Sequence, residues 1–392
     1  MEIIDIGSTR WQSQLDNSIS TFPQLADHFR RVSQIKRLPQ NTVNVDSNDF
    51  EGVVQKQTLE KIIKKYPMRI TPYYLGLVKY IGDPIWKQAI PDLYELSDHI
   101  NVDDPLHEEP QSPTPSIIHR YPGRVIFLVS NQCAMYCRHC MRKRKVGLQT
   151  HGQISHQLHN THGRSYSDAI SADFIEQGLT YIRNNRHIHD VILSGGDPLL
   201  LTTEKLDKLL FAIRQIDHVE TIRIHTRVIC TLPFRITDNL ALVLEKYHPL
   251  YVNTHFNHPD ELTDEAAFAC STLARAGVPL GCQTVLLKGV NDTPEVMTEL
   301  MRKLVRIRVK PYYLHHPDAV AGTAHFRPSL DTGLNIMKAM RGNLPGIAIP
   351  QYVIDLPGGY GKVPVLPDYI KHRDEKMAVV ENYQGKTCEY RF

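Results

Sequence analysis

Three cysteines stand close together in Cys133-Ala-Met-Tyr-Cys137-Arg-His-Cys140. Three thiolates on one short stretch suit a soft metal or an iron–sulfur cluster. A structural zinc site normally closes with a fourth ligand at regular spacing. His139 is of the right type, but it is wedged between Cys137 and Cys140. A [4Fe–4S] cluster held by three cysteines leaves one iron free to bind a small molecule. Cys230, Cys270, Cys282 and Cys388 are scattered, which speaks against a disulfide framework and for a reducing compartment.

A second group lies near the C-terminus: Asp355-Leu-Pro-Gly358-Gly359-Tyr360-Gly361-Lys362. Glycines let the backbone pass close to a ligand. A lysine amine is the group that forms a Schiff base with pyridoxal 5′-phosphate (PLP). The plain alternative is a surface loop ending in a solvated lysine. A Walker A loop is excluded, since Gly-x4-Gly-Lys-[Ser/Thr] is not present. A further strand end reads Ser194-Gly195-Gly196-Asp197, which alone predicts no more than a turn.

These residues need elements to position them. Residues 1–106 read as a helical N-terminal region, and 107–118 as a Pro-rich linker with Pro110, Pro113 and Pro115. From 119 to 345 strands and helices alternate. The strand segments are VIFLVSN (125–131), DVILSGGD (190–197), TIRIHTR (221–227), YVNTHFN (251–257), LGCQTVLLK (280–288) and KPYYLHH (310–316). Helices intervene, such as TEKLDKLLFAI, whose Leu206, Leu209, Leu210 and Ile213 fall at i, i+3, i+4 and i+7. Six βα units predict a parallel sheet. The polar reactive residues follow strand ends, where β/α barrels build their sites. The pattern therefore predicts one shared site on a partial (β/α)6 TIM-like barrel, with residues 346–392 as a C-terminal segment.

The bulk properties fit. Apolar residues are 42% and charged residues 22%, as in an ordinary globular enzyme, and the net charge is +3. Nothing demands a nucleic-acid or membrane partner. The start, MEIIDIGSTR, lacks the features of a signal peptide. No run reaches the about 18 apolar residues of a membrane span. The expected location is cytoplasmic. The polar stretch 148–168 carries His151, His156, His159 and His162 at irregular spacing and reads as a solvated insertion.

The spacing CxxxCxxC resembles the radical S-adenosylmethionine (SAM) signature, and Ser194-Gly195-Gly196-Asp197 resembles that family's glycine-rich SAM contact. Taken with ITPYYLGL, DPLHEEPQSPTP, HRYPGRV, MYCRHCMRK, LSGGDPLL, NTHFNHP, LLKGVND, HFRP and PGGYGKVPVLPDY, the chain resembles the lysine 2,3-aminomutase family from about residue 65 to 385. The resemblance implies a [4Fe–4S] cluster on Cys133, Cys137 and Cys140, SAM, and PLP linked to Lys362. Arg120, Tyr121 and Arg124 match residues around the PLP ring and phosphate, and His255 and Gln283 match residues of the SAM site. Arg142 matches the arginine that grips the substrate carboxylate. Asp318 and Asp355 match the two acids that hold the distal ammonium of lysine. The implied reaction moves the α-amino group of L-lysine from C2 to C3 through a 5′-deoxyadenosyl radical. Another amino acid (arginine, then glutamate) and a non-catalytic iron–sulfur protein are the alternatives. The implied partners are a small amino acid and an electron donor of flavodoxin or ferredoxin type, with a homo-oligomer left open.

The sequence departs from the family pattern at a few positions. His315 stands where the family has a tyrosine near PLP. Tyr360 interrupts the glycines before Lys362 and is expected to narrow the pocket. Thr293 replaces a cysteine found in relatives with an interfacial zinc, and Cys388 is alone at the C-terminus. No structural zinc is expected.

Overall fold

The computed structural model describes residues 6–35, 56–147 and 170–392. The His-rich stretch 148–168 lies outside the described residues, as do positions 1–5 and 36–55 of the N-terminal region.

The N-terminal region forms helices α1 (Ile6–Asp16), α2 (Phe22–Ile35) and α3 (Lys56–Lys65), then short helical turns at Pro72–Leu75 and Pro84–Ala89. Their apolar faces join the main core: Leu25, Phe29 and Leu59 are buried with Trp86. The Phe29 and Trp86 rings lie 5.5 Å apart.

The main sheet opens with β1 (Ile117–Tyr121) antiparallel to β2 (Arg124–Ser130). Strands β3 (Asp190–Gly195), β4 (Thr221–Thr226), β5 (Leu250–Thr254), β6 (Leu280–Val285) and β7 (Lys310–His315) follow, each parallel to the one before. Strands β2 to β7 are the six expected ones. The parallel run then continues into β8 (Gln351–Asp355), and β9 (Lys362–Pro364) folds back antiparallel. The C-terminal segment thus extends the barrel sheet. Strand order is linear from β1 to β9, so the curled sheet stays open between two antiparallel edges.

Helices α4 (Ala172–Asn184), α5 (Thr203–Arg214), α6 (Asp238–Glu245), α7 (Asp264–Arg275), α8 (Pro294–Arg306) and α9 (Leu330–Met340) pack on this sheet. Each begins at a Ser or Thr whose hydroxyl accepts from a first-turn N–H: Ser171, Thr202, Thr237, Thr263, Thr293 and Ser329. Thr293 is therefore a helix cap. On α5 the predicted stripe Leu206, Leu209, Leu210 and Ile213 is buried. Truncating Leu210 to Ala would destabilise the fold by about 2–5 kcal/mol.

A second sheet, β10 (Ile370–Arg373), β11 (Met377–Glu381) and β12 (Thr387–Arg391), is antiparallel. Glu381 ties it to α9 through Lys338 at 2.8 Å. Among the described residues no helix is long and apolar enough to cross a membrane.

Candidate active site

One cavity collects the residues singled out from the sequence. Its lining includes Cys133, Cys137 and Cys140, the Ser194–Asp197 strand end, and His255 and Gln283. Arg120, Tyr121, Arg124, Arg142, Asp318, Asp355 and Lys362 complete it. They come from β1 to β9 and from the loops between, as a strand-end site requires.

The cysteine loop leaves β2 and is clamped from β3. Gly196 N donates to Ser130 O at 2.6 Å, and Asp197 N donates to Gln132 O at 2.7 Å. Gly195 adopts φ +118°, and a Cβ there would lie 2.2 Å from Ser130 O. A Cβ on Gly196 would lie 2.4 Å from Gln132 O. Only glycines permit this approach. The Asp197 carboxylate accepts from Thr226 Oγ1 (2.7 Å), Arg227 N (2.7 Å), Leu199 N (3.1 Å) and Val228 N (3.1 Å). Asp197 therefore shapes the wall by tying β3 to β4.

The three thiols face a common space without a disulfide. Burial pushes Cys133 up, with the Asp197 charge adding to it, and pushes Cys140 up to about 11. Three thiolates here need cationic compensation, which iron supplies. Arg227 donates to Cys137 Sγ at 2.8 Å and is itself pinned by Glu261 and Gln88, each at 2.7 Å. His139 sits inside the motif with Nε2 3.3 Å from Asn257 Nδ2, while its buried Nδ1 has no protein partner. The donor set fits a cluster. Beside it, His255 Nδ1 contacts Gln283 O at 2.8 Å, and burial, with His315 next in order, holds its pKa down to about 3. A neutral imidazole suits the wall of an adenosyl pocket.

At the other end β8 and β9 place Asp355 opposite Lys362. The Lys362 ammonium makes an ion pair with the Asp355 carboxylate. Burial works against the Asp355 charge, but His315 and Lys362 outweigh it and hold the carboxyl far below its ordinary range. Lys362 N donates to Tyr121 OH at 2.8 Å. Arg124 stacks 3.9 Å over the Tyr121 ring. Arg120 donates to Gln111 Oε1 at 2.8 Å and Leu106 O at 3.0 Å, with its guanidinium 3.9 Å from Asp355. Two arginines, a tyrosine and a lysine on one wall fit a phosphorylated pyridine aldehyde. The Gly358, Gly359 and Gly361 φ angles of +76°, +80° and +95° shape the turn that brings Lys362 inward. Tyr360 is 85% exposed, so the expected narrowing of the pocket does not occur: the glycine turn swings that side chain out to solvent.

Asp318 follows β7 and is half-buried in the wall of the same cavity. Burial, with the charge of Asp355 second, raises its carboxyl to about 7. His315 lies 3.4 Å from Lys362 Nζ and 3.7 Å from Asp355, so the histidine joins the acid–lysine pair. The segment 107–116 runs in turns, places Glu108 in the cavity wall and sets Gln111 behind it, where it accepts from Arg120. Sequence reasoning gave no role to Glu108, Gln111, Gln88 or Glu261. Glu108 lies within DPLHEEPQSPTP, and Arg227 is the last residue of the strand segment TIRIHTR.

A model of the radical SAM superfamily matches residues 127–304, and one for lysine-2,3-aminomutase matches residues 337–392. The L-lysine 2,3-aminomutase of Methanococcus maripaludis is 47% identical over 363 residues, covering 90% of this chain and 80% of that protein. The L-lysine 2,3-aminomutase of Clostridium subterminale is 40% identical over 392 residues, covering 99% and 85%. A glutamate 2,3-aminomutase of Clostridioides difficile is 43% identical, covering 86% and 76%. The cofactors of such an enzyme are a [4Fe–4S] cluster, SAM and PLP. With a cysteine cradle at one end of its cavity and a lysine-bearing turn at the other, the chain belongs to the lysine 2,3-aminomutase family of radical SAM enzymes.

Proposed function

We propose that this enzyme moves the α-amino group of L-lysine from C2 to C3 to give β-lysine. It does so in the cytoplasm, with electrons from a flavodoxin- or ferredoxin-type donor. When bound, the reduced cluster and SAM supply a 5′-deoxyadenosyl radical, while PLP delocalises the unpaired electron during the shift.

In this reading Cys133, Cys137 and Cys140 hold the cluster. Ser194, Gly195, Gly196, His255 and Gln283 line the SAM pocket, with Asp197 fixing its backbone. Arg120, Tyr121 and Arg124 seat the PLP phosphate and ring, and Lys362 anchors the aldehyde. Arg142 receives the substrate carboxylate. While joined to the aldehyde, Lys362 would no longer hold its ammonium on Asp355, and that carboxylate would be left to meet the ammonium of an incoming substrate. The protein's task is orientation and exclusion of water.

The observation that carries the substrate is the pair Asp318 and Asp355. Two half-buried acids at one cavity, one of them pushed up to about 7, are a site in deficit of positive charge. A lysine ammonium relieves that deficit. A glutamate side chain would set a third carboxylate against the pair. Arginine is also cationic, so the substrates must be compared directly. The protein is loaded anaerobically with iron, sulfide and PLP, then given SAM, reductant and one amino acid at a time. Mass spectrometry of derivatised products is expected to find β-lysine in excess. A β-product from arginine or glutamate in its place overturns the substrate. An intact cluster and bound PLP with no product from any of them supports a protein without turnover.

A further inference from the structure

Arg142 is held on one edge before any substrate reaches it. Its Nε lies 3.1 Å from Glu108 Oε1 and 3.3 Å from Oε2, and its Nη2 donates to Oε1 at 2.8 Å. Its Nη1 donates to Ser194 Oγ at 3.2 Å. A guanidinium carries five N–H groups. Glu108 occupies the Nε proton and one on Nη2, and Ser194 takes one on Nη1. One N–H remains on each of Nη1 and Nη2. With the Nε–Nη2 edge taken by Glu108, the Nη1–Nη2 end is the edge left to meet a carboxylate.

Glu108 is itself fixed. It is 1% exposed, and its Oε2 accepts from Arg144 Nη2 at 3.0 Å. Its backbone N donates to Asp104 Oδ1 at 3.0 Å. Burial alone would raise its carboxyl, but Arg142, Lys145 and Arg144 prevail and hold it at about 2. A permanently charged, immobile carboxylate is a fit support for a buried cation.

We propose that Glu108 is a positioning residue that sets the Nη1–Nη2 fork of Arg142 toward the substrate's α-carboxylate. This rests on the reading that the substrate is an amino acid held by Arg142. The role differs from a general stabilising ion pair in one respect. It acts on ligands that have an α-carboxylate and spares ligands that lack one.

The test uses PLP-loaded, cluster-loaded protein without reductant. L-lysine and 1,5-diaminopentane, which has both amines but no carboxylate, are titrated separately, following the PLP absorbance. In Glu108→Gln the lysine affinity is expected to fall roughly 10- to 100-fold, while the diamine changes by less than about 2-fold. Glu108→Asp keeps the charge on a shorter arm and is expected to fall between wild type and Glu108→Gln for lysine alone. Equal losses for both ligands in the two variants would make Glu108 merely structural and overturn the proposal. An unchanged lysine affinity would overturn it as well. If wild-type protein binds the diamine but does not respond to lysine, the substrate reading fails and the proposal falls with it.

Discussion

The two ends of the cavity are built by different means. The cluster end is a backbone construction. Gly195 and Gly196 press against Ser130 and Gln132, and Asp197 accepts from Thr226, from Arg227 N and Val228 N at the C-terminal end of β4, and from Leu199 N in its own turn. The substrate end is a construction of charges. Asp318, Asp355, Lys362, Glu108 and Arg142 stand along it, each set by its neighbours. Backbone contacts of this kind tolerate almost no added atom and respond little to pH. Compensated charges tolerate shape changes better and respond strongly to pH.

The sharpest way to break this contrast is to add one methyl group at each end. Gly196→Ala, with its Cβ 2.4 Å from a backbone oxygen, should destabilise the protein by about 3 kcal/mol or more and abolish cluster loading, read as iron content. Gly358→Ala meets only the Tyr360 ring at 3.1 Å, on a side chain free to move. It should cost about 1–2 kcal/mol for its positive φ and leave iron content intact, as thermal unfolding and iron analysis would show.

A second difference concerns Lys362. Its removal should leave the cluster end untouched. Lys362→Ala is expected to lose the absorption band of lysine-linked PLP near ~410–430 nm while keeping full iron. Loss of both would mean that the two ends are one cooperative unit.

How much of this was legible beforehand follows the same division. The cysteine spacing and the strand–helix alternation are local patterns, and the structure carries all six predicted strands. The helix stripe at Leu206, Leu209, Leu210 and Ile213 is local too. Glu108 and Arg142 are 34 positions apart, and Arg227 reaches Cys137 across 90. No local periodicity encodes such pairs; only the folded sheet brings them together. The seventh parallel strand, β8, is only five residues long and runs into the glycine–lysine turn, so no local pattern sets it apart. A sequence does not show which way a glycine-rich turn throws a side chain, and Tyr360 points to solvent where a narrowed pocket is expected.

A pH series sharpens the contrast further. Asp318 titrates at about 7 in the folded protein, against an ordinary 3.8. If the ionised Asp318 receives the lysine ammonium, as proposed, lysine affinity should rise as pH rises through 7, and Asp318→Asn should flatten that rise. The sign for stability is opposite. Between pH 4 and 7 the folded chain keeps a proton that the unfolded chain has lost, so this group withdraws stability as pH climbs. Denaturant titrations at fixed pH should show a smaller loss in Asp318→Asn.

The smallest effect lies at low pH. Glu95, buried between Arg138 and Lys143, and Glu108 are both held at about 2 against an ordinary 4.5. Both are penalised by burial but rescued by their cationic partners. Their contribution is complete above pH 4.5 and fades as pH falls toward 2. Acid unfolding should shift to higher pH in Glu95→Gln.

The central claim is that the two ends serve one reaction on one lysine. It is tested most directly with lysine deuterated at C3, incubated anaerobically with the loaded enzyme, SAM and a reductant. Deuterium is predicted to appear at the 5′ carbon of recovered SAM as β-lysine forms, and to be absent from SAM in Cys137→Ala and Lys362→Ala. β-Lysine formed without transfer of label to SAM would contradict the account.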